Sequence, residues 1–390
     1  MITVAAALDA LFALVDVQPV EEVPLRHACA RVLARSVSAS RNQPPFAASA
    51  MDGYAVANAS VMPGATFTVI GEAAAGHAYA GTAAKGQAVR IFTGAPLPAG
   101  CDRVVIQEDV TRTGDTITLL ADIDAGTHVR PAAGDFAVGD QIAAPRLLRA
   151  PDIALLAAMN AACVPVSRKP VVAIIATGDE LVQPGEQPSD DQIIASNSYG
   201  LAAMIEAHGG QARMLPIARD NHAALATVFD LAADADLIVT IGGASVGDHD
   251  LVAAAALAHG MEQSFYKVAM RPGKPLMAGR MGKAALIGLP GNPVSAMVCG
   301  HLFVLPMLRK MLGLAATQAP RHPARLANSL QPNGPREHYM RAHFDGDTVT
   351  VFDRQDSALL TVLAQANCLA VRPPHDGSRL PGDLLDIVPI

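Results

Sequence analysis

The chain has 390 residues, of which 51% are hydrophobic and 17% charged, and its formal net charge is −7. That length provides for roughly two to four domains, and the acidic balance excludes a nucleic-acid binder with a broad basic face. No apolar run approaches the roughly 18 to 20 residues that span a bilayer, so neither nucleic acid nor membrane is expected as a partner.

The opening segment "MITVAAALDALFALVDV" lacks a basic leader, and Asp9 interrupts its apolar stretch, so it reads as an amphipathic helix and not a secretory signal. Apolar residues keep helical spacing through "AAALDALFALV" and "PLRHACARVLARSV", predicting a helical region over the first 45 residues. Next comes "ASAMDGYAV" (48–56), just after Pro44-Pro45. Tandem proline favours extended backbone, and Gly53 predicts a turn that sets Asp52 at a bend. An isolated Asp-Gly is ordinarily a polar turn, so any chemistry at Asp52 depends on what other loops supply. Between residues 51 and 140, short runs such as "TFTVIG", "QAVRIFTG", "DRVVIQEDV" and "DTITLLA" alternate with turn residues and predict a small β domain. Helical pattern returns in "APDIALLAAMNAA" (150–162), expected to pack on the N-terminal helices and make the β domain an insertion.

From Lys169 onward strands and helices alternate. "PVVAIIATGDEL" is a buried-type strand entering a loop, and "SNSYGLAAMIEAHGG" a helix with a Gly stop. "ARMLPIARD" and "DLIVTIGGASVGDHD" are strands on either side of the helix "NHAALATVFDLAADA", and "AALIGLPGNPVSAMVCGHLFVLPMLRKMLG" closes the unit. Such alternation predicts an α/β domain: a doubly wound, mostly parallel sheet with helices on both faces. A Pro-containing linker then leads to a β-rich, barrel-like module. The expected division is 1–45 with 141–168, 46–140, 169–313 and 322–390.

Ligands of doubly wound sheets bind at the carboxyl ends of the strands, where three loops fall: "ATGDEL" (176–181), "IGGASVGDHD" (241–250) and "GLPGNPVSA" (288–296). Their glycines, Gly178, Gly242, Gly243 and Gly291, admit close approach of an anion, and Thr177, Ser245, Asn292 and Ser295 supply hydrogen-bonding groups. The acids Asp179, Glu180, Asp220 and Asp250 would repel phosphate, a conflict that Mg²⁺ resolves by taking one or two carboxylates together with phosphate oxygens. Asp220 and Asp250 are the expected metal ligands, although either could instead cap the following helix. In "KVAMRPGKPLMAG" (267–279), Lys267, Arg271 and Lys274 surround a rigid Pro-Gly-Lys-Pro turn suited to an oxyanion. The five cysteines are scattered without a CxxC pair, which argues against a structural zinc or disulfide framework and fits a reducing cytoplasm.

"SAMDGYAV", "IFTGAPLP", "TGDEL", "GGASVGDHD", "RPGKP" and "GLPGNPVSA", in this order, resemble the molybdopterin molybdenumtransferase family, to which the C-terminal half of gephyrin is related. The resemblance extends through "DSALLTVLAQANCLAVRP" and covers essentially the whole chain. It implies an elongated homodimer with shared active sites, adenylylated molybdopterin and molybdate as substrates, and Mg²⁺-assisted adenylate hydrolysis. A contact with molybdopterin adenylyltransferase is a further implied partnership. By resemblance, Asp52, Thr93, Arg130, Asp135, Glu180, Asp220, Ser245, Asp250, Lys267, Arg271, Lys274 and Ser295 match functional positions. Asp52, Thr93, Glu180, Asp250 and Lys267 would serve catalysis, with Asp52 contributed by the partner subunit. Arg271, Lys274, Arg341 and Ser357, with Arg336 nearby, would meet molybdate. One departure is "VRPAAGDF", where Ala133-Gly134-Asp135 replaces Gly-Glu-Asp. An adenylyltransferase and a non-catalytic gephyrin-like scaffold are the alternative functions.

Overall fold

The computed structural model describes residues 1–242 and 251–390. Its centre is a six-stranded sheet ordered Gln211–Met214, Val171–Ala176, Leu237–Ile241, Ala284–Leu289, Met277–Met281, Met261–Tyr266. The strand pairs among the first four are parallel, and Met277–Met281 runs antiparallel to both of its neighbours. Val171–Ala176 and Leu237–Ile241 are mostly apolar and almost wholly buried, as strands covered on both faces must be. Alternate residues of Val171–Ala176 point to opposite faces. Val172 and Ile174 join a core with Leu201, Met204, Ile205 and Phe303, while Ala173 and Ile175 join one with Leu225, Phe229 and Val252.

The helix Pro293–Met311 is 19 residues long with a mean hydropathy of 1.2, so a run of membrane-spanning length does exist, contrary to the sequence expectation. It is 78% buried within the protein, which makes it a core helix. Pro306 lacks the N–H that continues an α-helix, and a π-helical turn over Gly300–Val304 lets Leu305 N–H bond the Gly300 carbonyl instead.

The N-terminal region is less helical than its periodicity predicts. Only Val4–Leu14 is an α-helix, capped by Thr3, whose hydroxyl accepts from Ala6 N at 3.1 Å. Its Val4, Leu8 and Leu11 pack into the central core, and Ile2 bridges to Val268. The expected second helix is a short 3-10 turn, Leu25–His27, followed by the strand Val32–Leu33. Ala30 adopts φ 62°, which a helix does not accommodate, and Val20–Pro24 and Val32–Leu33 both pair with Cys163–Ser167. Tertiary strand pairing therefore overrides local helical spacing. The helix Ala150–Ala158 packs in this small sheet's core, where Leu156 joins Leu33 and Val166, and not on the first helix.

The β domain is a six-stranded sheet in which Gly53–Val56 lies between Arg103–Ile106 and Gln87–Ile91. Gly53 is required by close approach: a Cβ there would sit 2.0 Å from the Val105 carbonyl oxygen. At the C-terminus, Glu337–Phe344, Thr348–Val351, His322–Leu326, Leu384–Pro389 and Cys368–Arg372 close into a five-stranded barrel through the pairing of its first and last members. Met270–Arg271 adds to that barrel by pairing in parallel with Glu337 and His338, so the central domain and barrel are joined at the "RPGKP" turn.

Thr240 is fully buried on the central sheet, and its hydroxyl has no hydrogen-bond partner among the described residues. An unsatisfied buried polar group costs about 1–3 kcal/mol. Thr240→Val should therefore stabilise the fold by about 1 kcal/mol in urea denaturation, and a loss of stability would show that the hydroxyl is satisfied.

Candidate active site

The strand order places Val171–Ala176 beside Leu237–Ile241 where the connections diverge to opposite sides, the position at which doubly wound sheets bind ligands. A cleft of about 580 Å³ opens there, walled by Thr177, Gly178, Glu180, Asp220, Gly242, Gly291 and Asn292 among others. Three separate loops thus converge. Gly242 has φ +97°, and a Cβ on it would stand 2.7 Å from the Thr177 carbonyl oxygen, so only glycine lets these loops meet.

The loop amides are used differently from the sequence expectation. Thr177 N donates to Ile241 O at 3.0 Å, Gly178 N to Ala218 O at 3.1 Å, and Gly242 N to Leu289 O at 3.2 Å. These amides knit the loops together and are not free for an anion. The third loop is held from the C-terminal side, where Val294 N donates to Ser357 O at 3.0 Å and Asn292 Nδ2 to Ser357 Oγ at 3.1 Å. Ser295 is buried at 3% exposure and is not a cleft wall.

Acidic groups gather on the opposite side. Asp220 N donates to Asp179 Oδ1 at 3.2 Å, and Arg219 Nη1 donates to the Asp179 carbonyl at 2.7 Å. Burial pushes the Asp220 carboxyl above the usual carboxylate range, and the charges of Asp179 and Glu180 push it further. Asp220 is not the helix cap: Asn221 is, accepting from Ala224 N at 2.9 Å. Among the described residues no group of three His, Cys, Asp or Glu side chains is arranged to hold a metal. Gly243, Ser245 and Asp250 lie outside the described residues.

Other expected residues stand apart from the cleft. Asp52 Oδ1 accepts from Thr93 N at 2.7 Å and Thr93 Oγ1 at 2.8 Å, and these bonds hold its carboxyl below the usual range. Arg90 braces the same corner, donating to Gly53 O at 3.1 Å while stacking on Tyr54 and Phe92. No described residue of 46–140 walls the cleft. Arg130 pairs with Ala48, and Asp135 N donates to Gln43 O at 2.9 Å, both in the β domain's margin. Lys267 has φ 74° and its ammonium lies 4.8 Å from the Tyr266 ring centroid. Lys274 is half-buried, and its neighbour Pro275 walls the cleft.

Arg341 is 1% exposed and donates through Nη2 to the Arg354 and Asp356 carbonyls, each at 3.1 Å, so it positions the loop that carries Ser357. Its Nε has no partner among the described residues, and Arg271 lies close enough to help burial lower its pKa. Arg336 Nη1 donates to Met270 O at 3.3 Å. The cations therefore collect where the turn meets the barrel. Sequence reasoning passes over Asn197, which donates through Nδ2 to Gly291 O at 2.7 Å and walls the cleft. Its only sequence signal is a polar residue at a helix start.

This arrangement defines an α/β protein with a large cleft at a topological switch point, Glu180 and Asp220 on its wall and cations at a domain seam. Residues 2–160 match the family described as MoeA N-terminal region (domain I and II), 173–310 the probable molybdopterin binding domain, and 323–390 the MoeA C-terminal region (domain IV). A molybdopterin molybdenumtransferase of Nostoc sp. is 37% identical over 372 residues, covering 91% of this chain and 85% of that protein. One from Haemophilus influenzae is 32% identical over 378 residues, covering 95% and 93%. A crystal structure of a molybdopterin biosynthesis MoeA protein from Pyrococcus horikosii superposes with a TM-score of 0.85 at 28% identity, covering 100% of this chain and 99% of that one. The chain belongs to the molybdopterin molybdenumtransferase family.

Proposed function

We propose that this protein is a molybdopterin molybdenumtransferase that inserts molybdate into adenylylated molybdopterin and releases AMP. The observation that carries the reading is the convergence of Asp179, Glu180 and Asp220 beside a large cleft built from three strand-end loops. The match of all three regions to the family, and of relatives along most of the chain, favours this over an adenylyltransferase or a scaffold. Mg²⁺ fits the donor set, because the Asp220 carboxyl, raised first by burial, is raised further by the charges of Asp179 and Glu180, a repulsion that a divalent cation would offset. When bound, the ion would supply charge neutralisation at the adenylate phosphates. Asp220, and by family resemblance Asp250, would hold the ion, and Thr177 and Asn292 would orient the nucleotide. Arg271, Lys274, Arg341 and Ser357 would receive the oxyanion. Purified protein given adenylylated molybdopterin, Mg²⁺ and molybdate should release AMP; no release would defeat the reading.

Asp220→Asn should raise the Mg²⁺ requirement by about tenfold or more, the worth of one lost charge-assisted contact, with thermal stability unchanged or slightly higher. A raised carboxyl destabilises the folded state above its folded pKa, and that cost disappears below the unfolded value. Because the Asp220 carboxyl is raised, acidification should protonate it before ordinary carboxylates titrate and raise the Mg²⁺ requirement, as Asp220→Asn does. Unaltered Mg²⁺ titrations in the variant would remove Asp220 from the metal site.

Because no described β-domain residue walls the cleft, we propose a homodimer in which Asp52 and Thr93 complete the partner's site. Heterodimers of Asp52→Ala and Asp220→Ala subunits should regain part of the activity that both homodimers lose. Confirmed heterodimers without rescue would show that each site is built by one chain.

A further inference from the structure

We infer that Gln355 is a positioning residue for the cleft: its side-chain amide fixes the barrel loop that carries Ser357, and that loop fixes the third strand-end loop at Asn292 and Val294. The inference rests on the reading of the cleft as the nucleotide site. The strand Thr348–Val351 pairs with Glu337–Phe344 as far as Val351 and Ala342, and Phe352 N extends the ladder by donating to Arg341 O at 3.1 Å. Beyond that point the Gln355 side chain stands in for backbone. Its Oε1 accepts from Arg341 N at 3.0 Å, and its Nε2 donates to Arg341 O at 3.0 Å and to Phe352 O at 2.7 Å. The acceptor and both amide hydrogens are thereby engaged. Glu at this position would offer the acceptor but no donor for the two carbonyls.

A second set of bonds carries this constraint to the cleft. The Ser357 carbonyl accepts from Val294 N, one of the first-turn amides of the helix Pro293–Cys299 that no helical carbonyl can satisfy. The Ser357 hydroxyl accepts from Asn292 Nδ2. Ala358, the one described cleft-wall residue beyond 322, is set by its N–H donating to Asp356 Oδ1 at 2.8 Å. Asn197 holds the same strand-end loop from the other side, at Gly291 O. The third loop therefore stands between two clamps, one from its own domain and one from the barrel, and Gln355 ties the second clamp to a barrel strand. A loop ordered in advance spares the bound nucleotide the cost of ordering it. Loss of the Gln355 amide returns that cost to binding.

Calorimetric titration of the full chain with AMP reads nucleotide affinity without turnover. Gln355→Leu should weaken AMP binding about tenfold, the equivalent of about 1.4 kcal/mol. It should raise the KM for adenylylated molybdopterin by a similar factor while kcat stays within about twofold, the signature of lost uniform binding. Gln355→Glu, which keeps the size and the acceptor, should behave like Gln355→Leu. Asn328→Leu controls for barrel stability alone. Asn328 clamps the same strand, donating from Nδ2 to Val351 O at 2.9 Å and accepting at Oδ1 from Val351 N at 3.1 Å, and both bonds end on that strand. That variant should lose stability and keep its AMP affinity. In an Asn292→Ala background, Gln355→Leu should cost much less than tenfold, because part of its route to the cleft is already cut. Equal AMP affinities in the wild type and the folded Gln355→Leu protein, or the same loss in Asn328→Leu, would overturn the inference alone. A wild type that does not bind AMP would overturn the nucleotide reading beneath it.

Discussion

Arg372→Met should lower the stability of the protein by about 3 kcal/mol, the low end of the range for breaking a buried ion pair. Arg372 is 2% exposed and lies on the barrel strand Cys368–Arg372. It bonds Asp376 and also the Gln331 and Gly377 carbonyls, so its removal takes a donor from three acceptors around the barrel strand. Arg379 also holds Asp376, donating from Nη2 to Oδ1 at 2.7 Å, which limits the loss. Urea denaturation measures the total, and hydrogen exchange at Cys368–Arg372 and Leu384–Pro389 should report the barrel opening first. A change below about 1 kcal/mol would show that the pair adds little beyond packing. The Arg379 and Arg372 bonds hold the Asp376 carboxyl below its usual range. Stability from that group is present above the unfolded carboxylate pKa and is lost as pH falls through the folded one. The variant should therefore lose less stability on acidification than the wild type.

Arg271→Ala should raise the molybdate requirement about ten- to a hundredfold. A charge-assisted hydrogen bond is worth about 1.5–3 kcal/mol, and about 1.4 kcal/mol is one decade. Arg271 is placed for this by its strand pairing with the barrel, which sets it among Arg336, Arg341 and His338. Adenylylated molybdopterin should bind with little change, because Arg271 does not wall the cleft. Separate titrations of molybdate and of the pterin nucleotide test this. Equal weakening of both, or no effect on molybdate, would show that the turn does not receive the oxyanion.

The central α/β unit is legible in the sequence because its evidence is local. Buried strands such as "VVAIIA" have no polar alternation, and the helix patterns between them follow from spacing along the chain. The glycine loops and Asp220 can be placed at one end of the sheet for the same reason. Residues 15–45 depart from their helical spacing because their partner strand, Cys163–Ser167, lies far away in sequence. Backbone hydrogen bonds can be satisfied either way, and the distant pairing prevails. Nor does the sequence show that the amides of Thr177, Gly178 and Gly242 bond neighbouring loops, or that Asn197 ties a helix to Gly291. The seam between "RPGKP" and the barrel depends on the pairing of Arg271 with His338, residues remote from each other along the chain. Motifs carry the chemistry of individual side chains, but distance and burial set which charges act together, and both arise only when remote segments pack.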